Sequence, residues 1–252
     1  MPSRTEQITA HHSVRIAGAM DAVTSTLGDP MSAPSVIVFD VNETLSDMSP
    51  MARRFADIGA PEHLAKLWFA TLLRDGFALT SAGACPSFAT LGVDALHIVL
   101  DGVALDRTVA AATDYVMTGF SELVVHPDVS PGVRALRRAG RRLFTLSNGS
   151  RQVAEGLFAR SGILDEFEAL LSVDDAGAWK PARTAYDYAA RICDTAPGDM
   201  LLVAVHPWDI DGAARAGLQT AWINRSRSAY PGSFTPPSFI AAGLTDLAQQ
   251  LA

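Results

Sequence analysis

Short apolar runs alternate with amphipathic stretches along most of the chain. The first run, 35–39 (SVIVF), is rich in β-branched residues and ends at the polar Asp40, which is typical of a fully buried parallel strand. After residue 127 the pattern predicts strands at 142–146, 169–173, 200–205 and 220–223, and helices at 131–139, 151–161, 183–193 and 209–216. This alternation predicts an α/β fold with a doubly wound parallel sheet.

Residues 48–120 interrupt the alternation, because their apolar positions follow the helical period almost throughout. We therefore expect a helical cap at 47–121, inserted after the first strand into a core formed by 34–46 and 122–252. Residues 1–33 have mixed polarity and carry a Gly-Asp-Pro loop signal near their end. We expect them to form a loosely ordered N-terminal extension.

Composition excludes several classes of protein. The 20 Lys and Arg residues against 27 Asp and Glu give a net charge of −7, which provides no basic surface for nucleic acid or an anionic membrane. No apolar run approaches the roughly 20 residues that a membrane span requires. Two cysteines, Cys85 and Cys193, cannot build a disulfide framework. The N-terminus lacks the apolar segment of a secretory signal, so we expect a cytoplasmic protein.

Polar side chains follow four of the predicted strands where each strand ends. The segments are Asp40-Val41-Asn42-Glu43-Thr44, Ser147-Asn148-Gly149, Lys180-Pro181 and His206-Pro207-Trp208-Asp209. Ligands of open α/β sheets bind at the carboxyl ends of the strands. Turn chemistry explains any one such segment, but it does not readily explain four. Lys180 is also one of only two lysines in the chain, the other being Lys66.

These segments carry a family resemblance. FDVNETL (39–45), LSNGS (146–150), WKP (179–181) and residues 203–225 resemble the haloacid dehalogenase superfamily, and within it the type II 2-haloacid dehalogenases. The resemblance implies a Rossmann-like core with a helical cap, and an aspartate that forms an ester which water then hydrolyses. It implies a small anionic substrate and no cofactor. A homodimer is expected only from this resemblance.

The residues themselves agree with these roles. Asp40 at the tip of a buried strand suits a nucleophile, because a carboxylate can form an ester and be regenerated. Lys180 would keep Asp40 ionised through Coulomb attraction. Thr44 suits either a hydrogen bond to the nucleophile or a helix cap. Ser147 and Asn148, just before a predicted helix, suit the carboxylate of a substrate.

Two positions argue against a Mg²⁺-dependent phosphatase, the commonest activity in the superfamily. The general acid of those enzymes corresponds to Asn42, which cannot donate a proton as an acid. Their metal-binding acid, five residues before the position of Asp209, corresponds to Ala204, which supplies no oxygen ligand. Asp211 is expected to point away from Asp40. Halide departure requires neither a proton nor a metal, so we expect no metal site.

Two positions depart from the dehalogenase pattern. Phe69 stands after Trp68 where the family has an arginine that holds the substrate, and Arg74, Arg53 or Arg54 could replace it.

The second departure is His206, which stands where these dehalogenases carry Asn. A histidine there resembles the epoxide-opening cis-epoxysuccinate hydrolases of the same superfamily. Paired with Asp209, the imidazole would be a competent general base, although a capping role is also open.

The sequence thus predicts hydrolysis of short 2-haloalkanoic acids to 2-hydroxy acids through an aspartyl ester, without metal. An epoxide hydrolase and a Mg²⁺-dependent phosphatase stay open as alternatives. The candidate catalytic residues are Asp40, Lys180, His206, Asp209 and Thr44. The candidate substrate-binding residues, among which aromatic side chains are more often core, are Val41, Asn42, Ser147, Asn148, Trp68, Phe69, Arg74, Tyr186 and Trp208.

Overall fold

The computed structural model describes residues 33–252, and the expected N-terminal extension lies outside this range except for Ala33. Within the range, six parallel strands form one sheet in the order β3-β2-β1-β4-β5-β6. The strands are β1 Val36–Phe39, β2 Arg142–Ser147, β3 Ala169–Ser172, β4 Met200–Ala204, β5 Gln219–Ile223 and β6 Phe239–Ala241. The predicted parallel α/β fold is confirmed.

Helices account for most of the remaining chain. Five helices lie between β1 and β2, and the first four fall in the block that the sequence predicts to be helical: α1 Pro50–Ala56, α2 Leu64–Ser81, α3 Phe88–Leu100 and α4 Val109–Ser121. The others are α5 Val129–Arg138, α6 Arg151–Arg160, α7 Val173–Ala176, α8 Arg183–Cys193, α9 Pro207–Ala216 and α10 Leu244–Gln250. None of the helices within 33–252 combines the length and apolar character that a membrane span requires.

Two helices begin two residues earlier than the sequence predicts, and one short strand is not predicted. Helix α5 begins at Val129, so Pro131 lies inside its first turn, where a missing N–H breaks no helical hydrogen bond. Helix α9 begins at Pro207 rather than at residue 209. The missing strand is β6, whose three residues are too few to show a period.

The sheet has an apolar layer on each face. Along β1, Val36 and Val38 face one cluster, whereas Ile37 and Phe39 face the other. All residues of β1, β4 and β5 are buried, and this burial explains the continuous apolar sequence of β1 and β4. The cluster on the side of Val36 continues without interruption into α1–α4.

Helices α2 and α3 pack against Trp179 in the loop that follows β3. The indole Nε1 of Trp179 donates a hydrogen bond to the carbonyl of Pro86 at 3.0 Å. Gly76 of α2 lies against the same indole, and a Cβ added at Gly76 would come within 2.5 Å of Trp179 Cε3. This close approach fixes the loop in which Lys180 follows Trp179.

Candidate active site

Asp40 is the centre of the site. Its backbone N–H donates to Val203 O of β4 at 3.0 Å, which continues the strand pairing up to the residue itself. Its Oδ1 accepts a hydrogen bond from Lys180 Nζ at 2.9 Å, and its Oδ2 accepts from Thr44 Oγ1 at 2.6 Å and from His206 Nδ1 at 3.1 Å. Burial would raise the pKa of Asp40, but the Lys180 charge and the hydrogen bonds from His206 and Thr44 hold it well below its usual range. Asp40 is therefore a carboxylate.

Thr44 links the Asp40 carboxylate to the backbone just after β4. Its hydroxyl donates to Asp40 and accepts a hydrogen bond from the backbone N–H of Val205 at 3.0 Å. Of the two roles that the sequence left open, the structure shows the hydrogen bond to the candidate nucleophile.

Lys180 lies between two carboxylates. Its Nζ is 2.9 Å from Asp40 Oδ1 and 2.6 Å from Asp209 Oδ2, and the side chain is completely buried. Burial would lower the pKa of Lys180, but the charges of Asp209 and Asp40 raise it. Asn148 fixes the backbone here, because its Oδ1 accepts from Lys180 N at 2.9 Å and its Nδ2 donates to Lys180 O at 3.3 Å. Asn148 thus positions the lysine loop.

The Asp209 carboxylate holds Lys180 and makes no hydrogen bond to the His206 ring, although the Asp209 backbone N–H donates to His206 O at 3.1 Å. Its Oδ2 accepts from Lys180, and its Oδ1 accepts from the Tyr186 hydroxyl at 2.6 Å. Burial raises the pKa of Asp209, against the opposing charge of Lys180. The expectation that Asp209 orients His206 is therefore wrong, because both carboxylate oxygens are already engaged elsewhere. Tyr186, expected among the substrate-binding residues, is fully buried behind Asp209.

His206 bridges Asp40 and Glu43. Nε2 lies 2.8 Å from Glu43 Oε2, and the ring stacks on Trp208 with centroids 4.9 Å apart. Burial would lower the pKa of His206, but the hydrogen bonds to Asp40 and Glu43 raise it to about 9. At neutral pH both ring nitrogens therefore donate. Sequence analysis missed Glu43 as a site residue, although it lies within the FDVNETL segment.

A cavity of about 1040 Å³ reaches this site from the surface. Glu43, His206 and Phe69 lie on its wall, together with Arg225 and Lys66. The centroid of the Phe69 ring is 6.4 Å from that of His206. The cavity gives a small molecule a route to the carboxylate region, with apolar and charged groups along it.

The other expected substrate-binding residues divide into three groups. Asn42 is buried beside Gly149, and Ser147 Oγ accepts from Gly149 N at 2.9 Å. The Val41 side chain belongs to the core. Trp68 is also a core residue, with no exposed surface and its Nε1 donating to Gly92 O. Its expected place in the pocket is not observed.

No arginine of the cap region replaces the one missing at Phe69. Arg74 is 64% exposed and paired with Asp75. Of the two alternatives, Arg53 is paired with Asp57, and Arg54 with Glu122. None of these three arginines lies on the wall of the cavity beside His206, so the expected substrate contact of Arg74 is not observed.

The site offers few oxygen ligands for a divalent cation. Within residues 33–252 no group of three His, Cys, Asp or Glu side chains is arranged to hold a metal ion. Ala204 ends β4 fully buried, and the Lys180 ammonium lies between the two carboxylates. Asp211 is bonded to Arg215 and Thr235. Metal independence stays a prediction.

A model of the haloacid dehalogenase-like hydrolases matches residues 34–217. The chain belongs to this family. Among curated relatives of this hydrolase, (S)-2-haloacid dehalogenase 1 of Pseudomonas sp. strain CBS-3 is 30% identical, with 88% of this chain and 97% of the relative covered. Haloacetate dehalogenase H-2 of Moraxella sp. strain B is 31% identical, with 83% and 94% covered.

Solved structures of dehalogenases share the fold of this hydrolase. A crystal structure described as a dehalogenase with an intermediate complex superposes with a TM-score of 0.82 at 27% identity. The superposition covers 87% of this chain and 98% of the other.

Proposed function

We propose that this hydrolase displaces halide from short 2-haloalkanoic acids and releases 2-hydroxy acids. The observation that carries the proposal is the buried Asp40 carboxylate, held ionised by Lys180. The names of the relatives support the substrate class, because they are a 2-haloacid dehalogenase and a haloacetate dehalogenase.

The first half of the reaction is a displacement at carbon. An Asp40 oxygen attacks C2 of the substrate, the carbon–halogen bond breaks, and the halide leaves with the electron pair. Two cationic groups, Lys180 and His206, orient Asp40 through hydrogen bonds. A covalent intermediate divides one difficult substitution into two easier steps.

The second half hydrolyses the ester. Ester formation removes the negative charge of Asp40, and with it one cause of the raised pKa of His206. The imidazole can then lose its proton and accept one from water. Asp209 acts through Lys180, to which it is bonded.

The proposed binding groups surround Asp40. Phe69 and Trp208 provide apolar contacts to the substrate, whereas Asn42 and the Ser147-Asn148 strand end face its carboxylate. We further propose that residues 47–121 act as a cap over this site, and that catalysis is independent of metal. A cytoplasmic location and a homodimer stay predictions.

A panel of 2-chloropropionate enantiomers and haloacetates, scored for free halide, tests this function. Mass spectrometry of the stopped reaction should detect an ester between the Asp40 carboxylate and C2 of the substrate. Absence of both halide and adduct across the panel would contradict the proposal.

A second candidate function is epoxide opening on a small dicarboxylate. The observation favouring it is the protonated His206 beside the nucleophile, because an epoxide oxygen requires a proton as it leaves carbon. Epoxide opening should then decline as the pH rises through about 9, the pKa of His206. Halide displacement has no such need for an acid, so epoxide consumption measured beside halide release distinguishes the two.

A further inference from the structure

Glu43 adopts a backbone conformation that glutamate rarely takes. Its φ is +61°, in the left-handed region that favours glycine. Its backbone is tied in place, since its N–H donates to Ser46 Oγ at 3.2 Å and its carbonyl lies 3.1 Å from His126 Nε2. A glycine would fit this turn with less strain. The glutamate side chain instead provides the carboxylate on His206, with Oε2 2.8 Å from Nε2.

We propose that Glu43 is a positioning residue, which fixes His206 with a proton on Nε2 and aims the Nδ1 lone pair at the Asp40 ester. This inference rests on the proposed function, in which that ester forms. The evidence for this inference is that the two ring nitrogens of His206 face different carboxylates. Nε2 faces Glu43 and Nδ1 faces Asp40, at 2.8 and 3.1 Å. Because a carboxylate only accepts hydrogen bonds, neutral His206 must keep its single proton on Nε2 while it contacts Glu43.

Neutral His206 with its proton on Nε2 can act as the base in hydrolysis of the Asp40 ester. Water attacks Cγ of the Asp40 ester, and its proton passes to Nδ1 of His206. The bond between Cγ and the product oxygen then breaks, and that oxygen takes the proton from Nδ1 and leaves as the hydroxyl of the product. Asp40 retains the oxygen of the water and passes the remaining proton to Nδ1 of His206, which restores the carboxylate and the imidazolium of the resting site. Glu43 stabilises the imidazolium that forms between these two transfers.

Other charged groups lie in the same region as His206. Lys180 and Asp209 act from the buried side through Asp40, and Trp208 and Phe69 contribute uncharged rings. Across the cavity lie Glu62, His63, Lys66, His126 and Arg225. Glu43 is the carboxylate that stays in contact with His206 after Asp40 is esterified.

Glu43→Gln and Glu43→Gly test the proposal with 2-chloropropionate as substrate. Single-turnover ester formation should stay within about twofold of wild type. Hydrolysis of the adduct, followed by mass spectrometry, should slow at least about tenfold, a part of the ~10²–10⁴ that general base catalysis supplies. In Glu43→Gln the pH at which hydrolysis is half-maximal should move down, because loss of the carboxylate lowers the pKa of His206.

Asp194→Gly is the matched control, since Asp194 is another non-glycine residue at positive φ, +48°, and lies at the end of α8. Both glycine variants should fold with unchanged or raised Tm, and Asp194→Gly should turn over like wild type. An unchanged hydrolysis rate and pH profile in Glu43→Gln would overturn the inference, as would an equal loss in both half-reactions without a pH shift. A wild-type protein that forms no Asp40 adduct would instead overturn the proposed function, and this inference with it.

Discussion

Replacing Lys180 by methionine should destabilise the protein, and more strongly at pH 8 than at pH 5. Methionine has a similar length and no charge, so the change mainly removes the ammonium from between Asp40 and Asp209. Both carboxylates are buried, at 2.9 and 2.6 Å from Lys180 Nζ. Removing one partner of a buried ion pair costs about 3–5 kcal/mol, because a charge is left uncompensated.

The dependence on pH follows from which carboxyl takes up a proton. Asp40 keeps His206 as a cationic partner, whereas Asp209 keeps only the Tyr186 hydroxyl. Burial then raises the pKa of Asp209 without opposition from Lys180. A folded-state pKa above the unfolded value, about 3.9, means that stability declines as pH rises past that value, by about 1.4 kcal/mol per unit. A loss of about 4 kcal/mol in the free energy of unfolding accumulates over about three pH units above the unfolded-state pKa of Asp209. Only about a third of this loss is therefore present at pH 5.

Urea unfolding of wild type and variant at both pH values measures this difference. At pH 8 a loss of about 4 kcal/mol corresponds to a Tm lower by about 8–16 °C for a domain of this size. Lys66→Met is the matched control, because Lys66 is the other lysine and lies exposed on α2. It should unfold like wild type at either pH. An equal loss for Lys180→Met at pH 5 and pH 8 would refute the electrostatic reasoning and assign the loss to packing.

Three further predictions concern the nucleophile, the metal and the packing over the site. Asp40→Asn should abolish turnover with the fold intact by circular dichroism. In ¹⁸O-water, a single wild-type turnover should place label in Asp40 before product, and label appearing first in product would exclude the covalent route. Halide release should survive exhaustive chelation, and a strict Mg²⁺ requirement would return the protein to the phosphatase alternative. Gly76→Ala should lower stability by about 1–3 kcal/mol in urea unfolding, because the new Cβ meets the Trp179 ring at 2.5 Å; an unchanged unfolding midpoint would show that α2 can move away.

The position of the site could be predicted because parallel strands end at one edge. Asp40 follows β1 and His206 follows β4, and these two strands are neighbours in the sheet. Lys180 comes from a loop beyond β3, two strands away from β1, yet its Nζ lies 2.9 Å from Asp40 Oδ1. The order of strands and loops along the chain therefore predicts that the candidate catalytic side chains meet at the carboxyl edge of the sheet.

The pairing within the site could not be predicted, because it depends on the direction in which each side chain points. Asp209 and His206 are three residues apart at the start of α9, which suggests contact, yet one points into the core and the other along the cavity. Likewise, the sequence does not show which of the neighbouring residues Trp68 and Phe69 on α2 faces the cavity. Adjacent helical positions differ by about 100°, so Trp68 packs in the core while Phe69 reaches the cavity.

Charge links the two halves of the proposed reaction. In the resting site, Lys180 and His206 are cations facing Asp40, and the remaining carboxylates, Asp209 and Glu43, hold one cation each. Forming the ester at Asp40 removes one negative charge. Lys180 keeps its charge, because Asp209 stays bonded to it at 2.6 Å in a fully buried place. His206 is partly exposed and keeps only Glu43, so it is the group that can release a proton to solvent. The same bond change that completes the first half-reaction thus prepares the base for the second.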